Sequence, residues 1–564
     1  MNKQCTQPAP NASLDSTSVA GGCSKTFQID DKDQEFYNRI DVPEPTLCPD
    51  CRYQRRLTWR NLRKLYKCKC DLCKKEMIGI YSADKPYKVY CNDCYWSDKW
   101  SGLEYGRDFD FARPFMEQFN ELLLDAPHMG TSNQESENSN YTNFGYKNKN
   151  CYLCFGTDVS EDCYYCTKCF KCTNTFDSYN CGELELCSWC LDCYRCFNTH
   201  YSQECENLRD SYFNFDCKNS SNIFGCAGLR NKEYYIFNKA VDKEKWHQQV
   251  EALLASNTVP ELYKMAEKSW LTTPHKWSNL IKSEASTGDH LRNTRNAIQC
   301  YDCGEIENCK YVIHSIPTLK DCMDVNDTGA GGELMYESTT GYGYNIHFSA
   351  TCYSGVSDLD YCYQVTGSKN CFGSVGLQKE QYVILNKKYS PAEYETLRTN
   401  IIQYMKKTGE YGEFFSTDIS PFAYNETEAQ QHYPLSKNDA KSKGLNWKDD
   451  TDLPMDKNLL TCIGCKGNFK IVKQEQEFLN KQGLPSPTMC PECRFNVLQK
   501  MRNPYELWHR QCMCTQPDHD HKGRPTDNAW RSHAGRCSIE FETTYSSDRK
   551  EIIYCETCYQ KEIY

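Results

Sequence analysis

Fifteen cysteines near the two ends of the chain have types and spacings that suit metal binding. Two C-x-x-C steps brought together supply four thiolates, and zinc takes four sulfur or nitrogen ligands tetrahedrally. Cys462, Cys465, Cys490 and Cys493 make one complete set, and Cys70, Cys73, Cys91 and Cys94 make another. Cys537, Cys555 and Cys558 need a fourth ligand. Alignment favours Cys512 for it, with Cys514 or a nearby His as substitutes. Cys23, Cys48 and Cys51 form a damaged set because Ala20 stands where Cys462 would align; it borrows Cys5 or Cys68, or holds no metal. The expectation is three or four Zn2+ per chain. Closed four-thiolate sites leave no open position for catalysis, and such metals contribute folding energy to small modules. Asp518, His519, Asp520 and His521 read as a mobile insertion, with a labile metal as the alternative.

The elements that carry these cysteines are duplicated. A shift of 442 residues aligns Cys23, Phe27, Ile29, Glu35, Phe36, Cys48, Cys51 and Arg52 with Cys465, Phe469, Ile471, Glu477, Phe478, Cys490, Cys493 and Arg494, and runs on to Arg60/Arg502 and Cys70/Cys512. The stretch from Cys462 to Arg494, with Phe469, Glu477-Phe478 and the Pro485 to Cys493 segment, resembles a zinc-ribbon family found mostly in uncharacterised bacterial proteins. That resemblance covers about forty residues at each end and implies zinc binding but no reaction. Between the N-terminal knuckles, Arg52, Arg55, Arg56, Arg60, Arg63, Lys64 and Lys67 run with Trp59 and Tyr66 interleaved. A solvated helix face is the preferred reading of this run, and phosphate contact is the alternative.

Between the modules a different pattern takes over. Fourteen cysteines from Cys151 to Cys226 are separated only by multiples of three, and small or compact residues such as Thr157, Ser160, Thr175, Ser178, Leu184, Thr199 and Ser202 fill the same phase. Asn150, Asp162, Asn174, Leu186, Asn198, Asp210 and Asn222 start seven units of twelve residues. At ~3.3 Å per extended residue, such a unit closes a rung of about 40 Å perimeter, and rungs stack ~4.8 Å apart. The interior is narrow, so inward residues must be small, while Asn and Asp suit the corners. The predicted fold is a tight β-solenoid. It resembles the cysteine-rich twelve-residue solenoids of insect antifreeze proteins in rung length and inward phase; without their outward Thr ladder, that activity is not carried over.

A shift of 148 residues maps Asn222, Phe224, Gly225, Gly228, Tyr234 and Asn238 onto Asn370, Phe372, Gly373, Gly376, Tyr382 and Asn386, so the solenoid is duplicated too. Working backwards, second-solenoid rungs start at Asp358, Asn345, Glu333, Asp321, Asn308 and Asn296, spaced twelve or thirteen apart. Ser390-Pro391-Ala392-Glu393 is a capping box opening a helix after it. Ala112 to Leu124 reads as an amphipathic helix capping the first solenoid, and a helix from Asp242 buries Trp246, Val250 and Leu253. Two rungs, Cys163-Cys166-Cys169-Cys172 and Cys187-Cys190-Cys193-Cys196, have sulfur at every inward position. Compact buried thiols stand first among the readings, ahead of disulfides and a metal or iron–sulfur cluster. The aromatic column Tyr152, Tyr164, Phe176, Tyr212 and Phe224 reads as rings covering the solenoid, with stacking of sugars or bases as the alternative.

The whole is expected to be mainly β and multidomain: two tandem tight β-solenoids of 12–13 residues per rung with helical caps, flanked by duplicated zinc-ribbon modules. The expected divisions are a flexible tail (1–18), the N-terminal zinc module (19–105), a capping helix and linker (106–137), the first solenoid (138–239), a helical segment (240–283), the second solenoid (284–387), a helical segment and linker (388–457) and the C-terminal zinc module (458–564). Lys+Arg 66 against Asp+Glu 76 gives net charge -10, which argues against a chain coated with nucleic acid. No apolar run is long enough to span a membrane, so a cytoplasmic place is expected; paired C-x-x-C steps favour zinc in a reducing compartment over disulfides. The leading functional expectation is a non-enzymatic zinc-containing scaffold for a macromolecule, protein before nucleic acid, with a possible contact between the two zinc modules. An enzyme using a groove on one solenoid, for instance on carbohydrate, and a thiol-based metal or redox protein are the alternatives.

Overall fold

The computed structural model describes residues 1–6, 23–315, 317–329, 331–449, 459–516 and 536–564. Most of the expected tail, Ala20 and the Asp518 to His521 cluster lie outside the described residues. Strand outweighs helix. The chain alternates between two compact units: Met1–Ser132 joins Leu280–Asp450, and Asn133–Asn279 joins Thr451–Tyr564.

In the second of these units, a parallel ladder starts where Asn133 pairs with Gly145. Residue i then pairs with i+12 through Tyr152↔Tyr164, Tyr164↔Phe176, Phe176↔Ser188 and Ser188↔His200, and on to Phe224↔Ile236. The triplet has a backbone cause. Its third residue is left-handed, as at Asn150 (φ 53), Leu153 (φ 50), Val159 (φ 53) and Asp162 (φ 54), so each triplet ends in a bend and four bends return the chain to its start. A left-handed residue other than Gly costs ~1–2 kcal/mol, which is why Asn and Asp, whose side chains can bond locally, crowd these corners. Here the corner side chains also form ladders between rungs: Asn138 Nδ2 donates to Asn150 Oδ1 (3.0 Å), Asn150 Nδ2 to Asp162 Oδ1 (3.0 Å), and Asn207 Nδ2 to Asn219 Oδ1 (2.8 Å).

Backbone hydrogen bonding accounts for the inward residue types. Along the ladder the outward residue donates forward, as Tyr152 N to Cys163 O (3.0 Å), and the corner residue donates back, as Tyr165 N to Tyr152 O (3.0 Å). At several rungs the remaining inward N–H is taken by a side chain of the previous rung: Cys172 N by Ser160 Oγ (3.0 Å), Cys190 N by Ser178 Oγ (3.3 Å) and Cys193 N by Cys181 Sγ (3.5 Å). Most inward thiols in turn have two carbonyls within reach of their single S–H, two residues back and nine ahead, as Cys163 Sγ has Glu161 O (3.4 Å) and Cys172 O (3.3 Å). Buried backbone groups must find partners. A small inward side chain with a lone pair and a donor, Ser, Asn or Cys, supplies them.

The C-terminal module packs on the outside of this ladder. Phe478, from the helix Lys473–Gln482, stacks on Phe176 (4.3 Å, 25°), and Phe495, from the helix Pro491–Met501, meets Tyr179 edge-on (5.7 Å). Helices Lys243–Ser256 and Val259–Thr272 bury Trp246, Val250, Leu262 and Ala266, while Leu253 is only half-buried.

The other unit repeats the plan. Fourteen strands between Leu280 and Lys388 form one sheet, parallel except for its final hairpin. Its interior holds Leu291, Ile306, Val312, Val325, Val365 and Val383 among fewer cysteines. Register here varies more than the expected twelve or thirteen: Lys320 pairs with Glu333, thirteen on, and Glu333 with Tyr344, eleven on. The left-handed corner is Leu334 (φ 57), not the expected Glu333, so a thirteen-residue step is followed by an eleven-residue one.

Two further expectations are corrected. The helix Phe115–Asp125 packs on the second ladder, not the first: Phe115 meets Tyr361 (5.2 Å) and Phe372 (5.4 Å). Residues 2–4, placed in a flexible tail by composition, form a strand paired with Thr26–Gln28. The Ser390 capping box is present and opens the helix Pro391–Thr408. Short helices follow at Glu428–His432 and Lys437–Ser442, with Gly444 left-handed (φ 68).

Candidate metal centres

Each sulfur cluster is assembled by the same local device. The second C-x-x-C of a pair opens a helix, with Cys48, Cys91, Cys490 and Cys555 as N-cap residues at φ between −64 and −66°. A first-knuckle turn closes through Lys74 N to Cys70 O (2.8 Å) and Lys466 N to Cys462 O (3.0 Å), with Lys74 and Lys466 left-handed. Free N–H groups at a helix start favour a negative charge. The thiolates therefore sit where the backbone already solvates them.

Four groups of four cysteines bring all their sulfurs within 4.8 Å of one another: Cys5, Cys23, Cys48, Cys51; Cys70, Cys73, Cys91, Cys94; Cys462, Cys465, Cys490, Cys493; and Cys512, Cys537, Cys555, Cys558. Sγ separations are 3.8 Å for Cys23–Cys48, 3.9 Å for Cys73–Cys91 and 3.8 Å for Cys465–Cys490. A disulfide needs ~2.05 Å. A tetrahedron with metal–sulfur bonds of ~2.3 Å has edges of about 3.8 Å. These groups can hold metal ions.

In each group one sulfur accepts the amide of the cysteine that opens the helix. Cys48 N donates to Cys5 Sγ (3.2 Å), Cys91 N to Cys70 Sγ (3.3 Å), Cys490 N to Cys462 Sγ (3.2 Å) and Cys555 N to Cys512 Sγ (3.2 Å). Burial raises the Cys70 thiol, but the amides of Cys73, Cys91 and Leu72 outweigh it and hold it at about 7. Cys462 is held at about 6 against burial by the amides of Cys490, Cys465 and Gly464. A hydrogen bond from the Cys555 thiol lowers Cys512 to about 5, and one from the Cys51 thiol does the same for Cys48.

Cys5 is the donor that the aligned spacing did not select. It arrives on the strand Asn2–Gln4, and Cys5 N bonds to Lys25 O (3.0 Å), which carries its sulfur beside Cys48. It does in its group what Cys462 does in the C-terminal one. Cys68 lies on the strand Tyr66–Lys69 outside these groups, and Cys514 is buried beside the last group without joining it.

The arginines of the basic run are not a solvated face, although Lys64 and Lys67 at its end are exposed. Arg52 and Arg56 lie on the helix Pro49–Leu57, buried to 1% exposure or less. Arg52 Nη2 meets Asp324 Oδ2 (2.7 Å) on the second ladder, and Arg56 meets Asp324 and Glu337 (3.4 Å each). Arg55 pairs with Glu337 (2.9 Å) and Glu413 (2.7 Å), and Arg60 pairs with Glu428. The C-terminal module uses the aligned residues alike. Arg494 meets Asp177 (3.1 Å) and Glu475 (2.6 Å) with its guanidinium over Tyr165, and Arg502 meets Asp192 (3.3 Å) over Tyr179. Sequence shows the arginines, but their partners on the ladders, such as Asp324 for Arg52 and Asp192 for Arg502, sit 272 and 310 residues away.

The sulfurs of the two all-cysteine rungs are buried and act as donors to carbonyls; Cys190, for example, donates to Ser188 O (3.6 Å) and Thr199 O (3.3 Å). Burial pushes the Cys163, Cys166, Cys190 and Cys193 thiols well above the ordinary range, while hydrogen bonds from neighbouring thiols bring Cys169, against burial, and Cys196 below it.

No family model matches the chain, and no curated protein matches it. The metal-binding potential of the terminal modules therefore rests on their geometry. Among the described residues no helix is long and apolar enough to cross a membrane.

Proposed function

We propose that this chain is a zinc-holding, non-enzymatic scaffold or binding protein of the cytoplasm. In this reading each ladder is a tight β-solenoid, each terminal module is a zinc ribbon, and the outward columns of the solenoids receive a macromolecular partner. One observation carries the proposal: in each unit the metal module is used to clasp a ladder. Its arginines are consumed by ladder carboxylates, and its four-sulfur groups are complete, so a bound metal would have no open position for substrate. Engagement of Arg52, Arg55, Arg56 and Arg60, from the run that had suggested phosphate contact, with carboxylates moves the expected partner further towards protein. The donor role of the ladder thiols supports packing over a metal or redox store.

The full chain, purified without added metal and analysed by inductively coupled plasma mass spectrometry, should carry four zinc ions and no iron. Used as bait in its native lysate, it should recover a protein partner insensitive to nuclease. Iron in stoichiometric amount, or capture abolished by nuclease, would overturn the reading.

A further inference from the structure

One stretch of the first ladder's aromatic column stays open. The column runs Tyr141, Tyr152, Tyr164 and Phe176, with ring centroids 5.2, 6.3 and 4.9 Å apart in turn. At Phe176 the next stacking position is taken by Phe478 of the C-terminal module. Val472 and Gln474 of the same module line, together with Tyr141, Tyr152 and Tyr164, a groove of about 490 Å³. Its size falls in the range of ligand clefts. Tyr141, at the open end of the column, is 37% exposed and Tyr152 half-buried, whereas Tyr164 is buried with its ring stacked on Phe176, so the first two rings are the ones open to solvent.

The groove's second edge is the corner ladder Asn138, Asn150 and Asp162. The inter-rung bonds use one N–H of each amide, which leaves each Asn a further N–H to donate. Tyrosine rings with a row of Asn amides and one carboxylate beside them match a ring that is apolar on its C–H face and hydroxylated at its rim. The charge balance excludes the other ligand that stacks on tyrosine. Asp162 is the one charged residue lining the groove, and Lys147 and Lys149 nearby are already paired with Glu135 (3.5 Å) and Glu161 (2.7 Å). A nucleic acid backbone needs cations to neutralise its phosphates.

The geometry points to a saccharide-binding groove on the first ladder, taking a neutral, extended oligosaccharide whose pyranose rings pack on Tyr141 and Tyr152. This inference rests on the binding-protein reading and names a ligand class for one face. The test is isothermal titration of the full, zinc-loaded chain with β-1,4-linked glucohexaose, with an N-acetylglucosamine hexamer and with a twelve-nucleotide oligothymidine. At least one hexasaccharide should bind. Tyr152→Ala should weaken it tenfold or more and Tyr152→Phe less than threefold, with zinc content unchanged. Tyr141→Ala, at a more exposed ring, gives the same readout should the first variant fold poorly. Absence of binding by both sugars, tighter binding of the oligonucleotide, or equal affinity of wild type and both alanine variants would overturn the proposal. A chain that ignores sugars yet captures a protein partner would sink this inference and leave the scaffold reading standing.

Discussion

Substituting Asp324 tests whether the ladder holds the metal module in place. Asp324 receives Arg52 Nε at 2.9 Å and Nη2 at 2.7 Å, with Arg56 at 3.4 Å, and both Arg52 and Asp324 side chains are at most 1% exposed. Asp324→Ala removes the one carboxylate that Arg52 meets in these ion pairs and leaves Arg56 to share Glu337 with Arg55. Breaking a buried pair by removing one partner costs ~3–5 kcal/mol, on the order of a hundred- to a few-thousand-fold in an opening equilibrium. The helix that carries Arg52 and Arg56 begins at Cys48 and contains Cys51, so its opening exposes the first sulfur group. Hydrogen exchange of a peptide spanning Pro49–Leu57 should speed up by that factor, and zinc should pass faster to a chromogenic chelator. Replacing both partners by apolar residues is far less costly than removing one. Arg52→Leu with Asp324→Leu should therefore recover much of the protection. Exchange within tenfold of wild type in Asp324→Ala, or a double variant as open as the single one, would refute the clasp.

Other outcomes follow from the same structure. Cys5→Ser should lower the zinc content from four to about three and release Asn2–Gln4 from its strand, measured by metal analysis and hydrogen exchange; an unchanged stoichiometry would show that Cys5 is not a ligand. Cys190→Ser keeps a donor for the Ser188 and Thr199 carbonyls and should cost less than ~1.5 kcal/mol, whereas Cys190→Leu overfills the interior and should cost ~1–3 kcal/mol or more. Asn207→Val places a β-branched residue at φ 54 and removes the bond to Asn219, so thermal unfolding should come earlier by a loss of roughly 2 kcal/mol. Burial lowers His200 from its ordinary value to about 3. Its unfolded form takes a proton below about pH 6.5 while the folded form does not, so the His200 contribution is intact above that pH and falls by about 1.4 kcal/mol per unit as pH drops towards 3. The His200→Asn variant should lose less stability than wild type between pH 7 and pH 5, a difference that zinc loss in acid, common to both, does not produce.

The repeats were legible because their cause is local. A left-handed residue every third position repeats along the chain, and Asn150, Asp162 and Asn174 print it in the sequence at twelve-residue spacing. Inward Cys, Ser, Thr and Asn follow from an interior too narrow for more and from carbonyls that need donors. The reading of those thiols as packing was incomplete, since their hydrogen bonds appear only when rungs are stacked. At Leu334 the second ladder departs by one residue from the pattern in the sequence, because Glu333 offers the more polar corner and no local signal marks the thirteen-residue step. The sulfur groups were legible wherever both knuckles were intact; Cys5 was named only as one of two substitutes because it lies off the aligned spacing.

What the sequence by itself determined is therefore the period, the duplicated modules and most of the cysteines that gather in fours. Pairing of modules with ladders was decided by tertiary structure alone. The N-terminal module lies on the second ladder and the C-terminal module on the first, neither on its neighbour along the chain in the same half. The choice depends on buried charge: Arg52 needs Asp324 and Arg494 needs Asp177, and a buried guanidinium without its carboxylate is too costly to tolerate. That complementarity is a property of two surfaces and leaves no mark in either one's local pattern.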